Sequence, residues 1–168
     1  WVMNADGSGK VNLTNNNATV NERNPSWSPA GKIAYERDGQ IWTMSSDGSG
    51  QTQFTAITQS FPAAPAWSPD GTKLVFTTAD DIWVINADGT GEKLLIANST
   101  WANYTGDGQH IVYSRGKKVF MCDLEGKNES LMADGDKDFK GGLAQSPSLS
   151  DDGKFLAVTL RGSQRETG

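Results

Sequence analysis

The sequence has little of the chemistry that cysteine and histidine provide. Its 168 residues contain a single cysteine, Cys122, and a single histidine, His110. One cysteine cannot form an internal disulfide, and because Cys122 lies in an apolar segment we interpret it as a buried structural thiol. One histidine excludes a metal site built from several imidazoles within this chain. We therefore expect neither a disulfide-stapled fold nor a histidine-based metal centre.

Long apolar runs and clusters of basic residues are also missing. No apolar run approaches the roughly 20 residues that cross a bilayer, so no membrane span is predicted. The chain carries 15 Lys and Arg against 20 Asp and Glu, for a net charge of −5. A nucleic-acid groove needs clustered Lys and Arg, and this charge balance argues against a nucleic-acid partner.

The common catalytic signatures are absent as well. The sequence lacks the Gly-x-Ser-x-Gly motif that presents the nucleophilic serine of α/β-hydrolases. Acidic side chains are plentiful, but no spacing singles out one carboxylate pair for acid–base chemistry. We expect no enzyme activity within this chain, and we predict no cofactor.

What the sequence does have is glycine, proline and tryptophan in a repeating order, with 19 Gly, 6 Pro and 6 Trp. A first marker places a ring a few residues before an acidic residue and a glycine, and its rings are Trp1, Trp42, Trp83 and Phe120. A second marker, Trp-Ser-Pro-Asp-Gly or a variant of it, begins at Trp27, Trp67, Tyr104 and Leu149. Both markers recur about every 40 residues, which is the period of a β-propeller blade.

The two markers divide each repeat into four short strands, A to D. Strand A leads into the Ser-Pro-Asp-Gly turn, strand B is the apolar run after it, strand C carries the first marker, and strand D follows the Asp-Gly-Ser-Gly turn. Strand B alternates, so that pairs such as Leu74 and Phe76 share one face. The sequence therefore predicts an all-β protein, a β-propeller of four-stranded antiparallel blades with about four blade-equivalents.

The repeats also predict where the blades lie. Residues 1–14 are expected to form strands C and D of a first blade, residues 24–55, 64–97 and 101–132 three whole blades, and residues 147–161 strands A and B of a last blade. The aspartate of each marker is interpreted as turn chemistry rather than as a metal ligand, because it precedes the glycine that a hairpin turn needs.

These repeats resemble those of the TolB-like β-propeller family. The resemblance is strongest in Trp-Ser-Pro-Asp-Gly-Thr-Lys-Leu-Val-Phe at 67–76 and Ile-Trp-Val-Ile-Asn-Ala-Asp-Gly-Thr-Gly at 82–91, and it covers essentially the whole chain. It weakens at Tyr104, where Thr-Gly replaces Ser-Pro, and at Leu149, where the ring is lost. The resemblance implies a non-catalytic bacterial module, periplasmic or otherwise extracytoplasmic, that binds a protein or peptide partner.

Two questions stay open at the level of sequence. Similar repeats occur in prolyl-oligopeptidase-type peptidases and in some carbohydrate-active proteins. The alternative function is therefore the propeller domain of such a peptidase or of a polysaccharide-processing enzyme, with catalytic residues outside this chain. Propellers of the family usually have six or more blades. Four blade-equivalents fit an excerpt of a larger ring, a four-bladed ring closed by its half-blades, or chains that associate through open blade faces.

The loops from strand D to the next strand A, at 15–24, 56–64, 98–101 and 133–146, are the least regular parts of the repeat and are expected to surround the channel mouth. Arg23 could meet an anion there, or it could pair with Glu22. Aromatic residues of these loops could stack on a sugar or hold a peptide, or they could pack beneath their own loops. The candidate partner-binding residues are Glu22, Arg23, Asn24, Phe61, Trp101 and Lys140.

The fourth of these loops contains a weak calcium pattern. Asp134, Asp136 and Asp138 alternate as at the start of a calcium-binding loop. The pattern then fails, because Phe139 stands where the glycine is required and Gln145 stands where a bidentate glutamate is required. We interpret the segment as a solvated acidic loop and predict no metal.

Overall fold

The computed structural model describes residues 1–15, 20–55 and 61–161. Within them the secondary structure is β apart from one short helix, α1 (Gly135–Asp138). Blade 1 consists of β1 (Glu22–Trp27), β2 (Lys32–Arg37), β3 (Gln40–Ser45) and β4 (Thr52–Gln53). Blade 2 consists of β5 (Ala63–Trp67), β6 (Lys73–Thr77), β7 (Ile82–Asn86) and β8 (Lys93–Ile96). Blade 3 consists of β9 (Thr100–Tyr104), β10 (His110–Arg115), β11 (Lys118–Asp123) and β12 (Ser130–Asp134).

Each blade is an antiparallel sheet whose strands follow one another in sequence order. Two partial units accompany the three blades. β13 (Leu143–Leu149) and β14 (Leu156–Arg161) form a two-stranded sheet, and a bridge between Val2 and Val11 closes a hairpin over residues 1–11. The prediction of an all-β propeller with four-stranded antiparallel blades is therefore confirmed. None of the helices in the described part of the chain is long and apolar enough to cross a membrane.

The second strand of each blade forms the core, because it is buried on both faces. In β6, Leu74 and Phe76 pack into a cluster with Ala34 and Ile41 of blade 1, whereas Val75 packs into a cluster with residues of blade 3. This division follows the alternation of side chains along a strand. Full burial of an aliphatic or aromatic side chain contributes about 1.5–3 kcal/mol. Neighbouring blades therefore stabilise one another.

The aspartates of the Asp-Gly turns have a structural role. Asp70 accepts hydrogen bonds from the Ser68 hydroxyl at 2.6 Å and from the Thr72 amide at 3.0 Å, and Asp47 accepts from the Ser49 hydroxyl at 2.6 Å. The hydroxyl donors Ser68 and Ser49 hold the pKa of Asp70 and of Asp47 below the usual value. Each carboxylate is thus engaged by its own turn, as expected for an Asx-type turn.

A second contact between blades occurs where a strand D meets the next C–D turn. At Gly48, which has a φ of +85°, an added Cβ would lie 2.7 Å from the Leu13 carbonyl oxygen of the preceding unit. Gly89 occupies the same place in blade 2 with a φ of +84°, but there the nearest atom, a ring carbon of Phe54, would be 3.8 Å away. The two glycines share one backbone conformation and differ in how closely the preceding unit approaches.

This pair of glycines provides a matched test of blade stacking. Gly48→Ala should lower the free energy of unfolding by about 1–3 kcal/mol more than Gly89→Ala, because only the first substitution overpacks the contact with Leu13. The penalty for placing alanine at positive φ is common to both variants and cancels in the comparison. Urea unfolding of the two variants and the wild type measures the difference. Equal losses of stability would show that this approach of one unit to the next is not a tight contact.

Candidate partner-binding channel

The four innermost strands, β1, β5, β9 and β13, line one open cavity of about 350 Å³. Each strand contributes three consecutive residues, so the lining has a regular composition. The lining residues are Asn24, Pro25, Ser26, Ala64, Pro65, Ala66, Trp101, Ala102, Asn103, Ser146, Pro147 and Ser148. None of them carries a charge, although the chain as a whole is acidic. The cavity therefore offers amide and hydroxyl groups beside proline rings and one indole.

Each innermost strand is bent at an equivalent position. Asn24, Ala64, Trp101 and Ser146 all adopt positive φ angles, of 51°, 48°, 59° and 49° respectively. In every case the pairing with the second strand shifts register at this point. A β-bulge of this kind bends the strand and redirects its side chains. A non-glycine residue with a positive φ carries backbone strain. Because four such residues occupy equivalent positions around one cavity, the bend is a regular feature of the innermost strand in each repeat.

Hydrogen bonds between blades hold the bent strands in place. The Ser26 hydroxyl accepts from the backbone amide of Trp67 at 3.1 Å. The amide of Trp101 donates to the Thr77 hydroxyl at 3.0 Å. Both bonds connect an innermost strand to the preceding blade, so the width of the channel is set by the way the blades stack.

The first group of candidate residues lies at the start of β1. The buried carboxylate of Glu36 accepts from Arg23 Nε at 2.8 Å and from Asn24 Nδ2 at 3.0 Å. Glu22 accepts a hydrogen bond from the Thr14 hydroxyl. Arg23 thus pairs with a carboxylate on the neighbouring strand, since it lies across from Glu36 in the register of β1 and β2. It does not pair with Glu22, because adjacent residues of one strand point to opposite faces. Asn24 is the member of this group that lines the channel.

The aromatic candidates lie in different settings. Trp101 is half-buried and lines the channel. Phe61 is 79% exposed, and its ring lies over the turn at Gly39, where an added Cβ would be 2.6 Å from a ring carbon. Lys140 is exposed, has a φ of +50° and follows helix α1. Neither Phe61 nor Lys140 belongs to the channel lining. Of the loops expected to hold a site, residues 16–19 and 56–60 lie outside the described part of the chain.

The alternating aspartates of the fourth loop make local contacts. Asp134 caps helix α1 by accepting from the Asp136 amide, and it pairs with Lys118 at 3.3 Å. Asp136 pairs with Lys117 at 2.7 Å, and Asp138 accepts from the Asp134 amide at 2.7 Å. Among the described residues, no group of three or more His, Cys, Asp and Glu side chains is arranged to hold a metal ion.

Sequence reasoning missed most of the channel lining, including Ala64 and Ser146. Small uncharged residues carry no chemical signal of their own. A signal was nevertheless present, because Pro25, Pro65 and Pro147 recur at one position of the repeat, and a proline inside a strand marks an edge or a bulge.

The bulge can be tested with two alanines of the same strand. Ala64→Gly should raise the free energy of unfolding by about 0.5–1 kcal/mol, because relief of the positive-φ strain exceeds the entropic cost of glycine. Ala66 has an ordinary φ, and Ala66→Gly should lower stability by about 0.5–1 kcal/mol. Urea unfolding of both variants checks the opposite signs. A loss of stability for Ala64→Gly would contradict the strained conformation.

No protein-family model matches this chain, and no curated protein matches it.

Comparison with solved structures identifies the architecture. TolB from Acinetobacter baumannii superposes with a TM-score of 0.75 over 99% of this chain, at 21% identity. A putative TolB from Agrobacterium tumefaciens gives 0.71 over 83% at 18% identity, and a chain of a nidogen–laminin complex gives 0.69 over 81% at 15% identity. The chain spans 43%, 53% and 55% of these three proteins respectively. The protein therefore has the TolB-like β-propeller fold that its repeats predict.

Proposed function

We propose that this chain is a non-catalytic propeller module that binds a protein or peptide partner through its channel mouth and the loops around it. The observation that carries the proposal is the open, uncharged cavity of about 350 Å³ lined by four bent strands. This volume falls within the range of about 300–1,000 Å³ that is usual for ligand pockets. It is large enough for a few side chains of an inserted peptide segment.

The chemistry of the lining favours an uncharged segment. Asn24 and Asn103 offer amide groups, and Trp101 offers an aromatic face, which together suit polar and apolar side chains of a peptide. On β1, the guanidinium of Arg23, next to Asn24, already pairs with the carboxylate of Glu36. A charged side chain in the channel would lose its hydration without gaining a partner of opposite charge.

The same lining supports binding rather than catalysis. It contains no His, Cys, Asp, Glu or Lys, and so it offers no general base beside its serine hydroxyls. The hydroxyl of Ser26 is engaged by the Trp67 amide. His110 lines a separate cleft, next to the A–B turns of blade 3 and of the β13–β14 hairpin.

A protein partner and an extracytoplasmic setting complete the proposal. One of the similar solved chains was determined in a complex of two proteins, nidogen and laminin, which supports recognition of a protein by this fold. The resemblance of the repeats to the TolB-like family supports the bacterial periplasm, or another extracytoplasmic compartment, as the place where binding occurs.

Selection from a random 12-residue peptide library displayed on phage tests the proposal. We expect peptides with few charged residues to be enriched on the immobilised wild-type chain, and their dissociation constants are then measured by calorimetry with synthetic peptides. Asn103→Trp should weaken binding at least tenfold, a loss of about 1.4 kcal/mol, because the indole fills the channel.

The matched control is Gln109→Trp. Gln109 is an exposed residue in the A–B turn of the same blade and does not line the channel, so this variant should bind as the wild type does. Failure to enrich any peptide, or equal binding to the wild type and to Asn103→Trp, would contradict a binding site in the channel.

A further inference from the structure

A small apolar pocket opens between blades 2 and 3, beside the channel. Its volume is about 140 Å³. The lining consists of three alanines and two threonines from β5, β6 and the β6–β7 connection, together with Thr100 and Trp101 of β9. Ala64 and Trp101 line the channel as well. The pocket is therefore a side chamber of the channel, and Trp101 borders both spaces.

The hydroxyl groups of the two threonines from blade 2 are already engaged within the protein. The Thr77 hydroxyl accepts from the Trp101 amide at 3.0 Å. The Thr78 hydroxyl donates to the Asp81 carbonyl at 3.3 Å, and the Thr78 amide donates to the same oxygen at 2.8 Å. A polar ligand would have to compete for these bonds, whereas an apolar ligand needs none of them. The pocket therefore suits an aliphatic group.

The pocket lies where blade 2 departs from the pattern of blade 1. At the last pair before the bulge, Arg23 lies opposite Glu36 in blade 1 and Ala63 lies opposite Thr77 in blade 2. The blade 1 pair is an ion pair at 2.8 Å whose carboxylate is buried. Glu36 shares a strand face with Ala34, which packs against blade 2. Long side chains thus occupy the first interface at a position where the second interface has short ones.

We propose that this pocket, the aliphatic pocket, binds one leucine or isoleucine side chain of a peptide that lies in the channel. The inference rests on the proposed function and adds the type of residue that is recognised. An apolar cavity of about 150 Å³ holds one benzene molecule, so the aliphatic pocket has room for the fewer carbon atoms of such a side chain. A peptide backbone in the channel directs this side chain past Ala64 and Trp101, which line both spaces.

Titration with two isosteric amides tests the pocket without any peptide. N-acetyl-leucinamide and N-acetyl-asparaginamide have side chains of the same branched shape, apolar in the first and polar in the second. We expect the leucine amide to shift the backbone signals of Thr77 and Thr78 and the indole signal of Trp101 in proton–nitrogen correlation NMR spectra. The asparagine amide should bind about tenfold more weakly, because its carboxamide gives up hydrogen bonds to water.

A pair of alanine substitutions provides the matched control. Ala63→Leu fills the pocket and should weaken binding of the leucine amide about tenfold. Position 63 has room for a longer side chain, since Arg23 occupies the equivalent position in blade 1. Ala97→Leu makes the same change at an exposed residue of the connection between blades 2 and 3, outside the lining, and should bind as the wild type does. Circular dichroism of both variants confirms that the blades are folded.

The peptides selected on the wild-type chain give a second readout. They should share one leucine or isoleucine, and its replacement by alanine should weaken binding to the wild type about tenfold. The same replacement should have little effect on binding to Ala63→Leu, in which the pocket is already filled.

The two readouts separate this inference from the proposed function. Enriched peptides that lack such a residue, or that tolerate its replacement by alanine, would overturn the aliphatic pocket and leave binding in the channel intact. If no peptide is enriched, the proposed function fails and the amide titration alone decides on the pocket. No response to the leucine amide, equal binding of both amides, or an unchanged response in Ala63→Leu would overturn the inference.

Discussion

Burial of the second strand of each blade between two neighbours is the constraint on which the rest of this structure depends. In β6 the large side chains Leu74 and Phe76 face blade 1 and the smaller Val75 faces blade 3. A four-stranded sheet of this size cannot bury both of its faces by itself, so each blade is stable only within the stack. The repeat of about 40 residues in the sequence reflects this requirement, because each repeat supplies one blade to the stack.

The stacking also determines where a binding site can form. Contacts between second strands and at the C–D turns fix the spacing of the blades. The innermost strands therefore do not have to fill the space along the central axis with packed side chains. The innermost strands bend at small residues such as Ala64 and Ser146, and these residues leave a channel instead of a filled core. The same principle bears on Trp27, which is 52% exposed: Val2 and Leu13 pack on that face of blade 1, but among the described residues no complete blade covers it.

The fold could be predicted from the sequence because two markers repeat with one period, and the apolar alternation identified the second strands. The candidate site could be predicted only in part. Trp101 and Asn24 were identified as polar or aromatic residues near the channel, and both line it. Arg23 was assigned to an anion or to Glu22, but cross-strand register pairs it with Glu36. The bulge at Ala64 could not be read from residue type, because alanine has no preference for positive φ.

A double-mutant cycle across the interface of blades 1 and 2 tests the central claim most directly. Phe54 and Trp67 belong to different blades, and their rings lie 5.9 Å apart. Combining Phe54→Leu with Trp67→Leu should reveal a coupling of about 0.5–1.5 kcal/mol in the free energy of unfolding. Combining Phe54→Leu with Phe120→Leu of blade 3 should be additive within about 0.5 kcal/mol. Additivity in both cycles would contradict the claim that neighbouring blades stabilise each other through their buried faces.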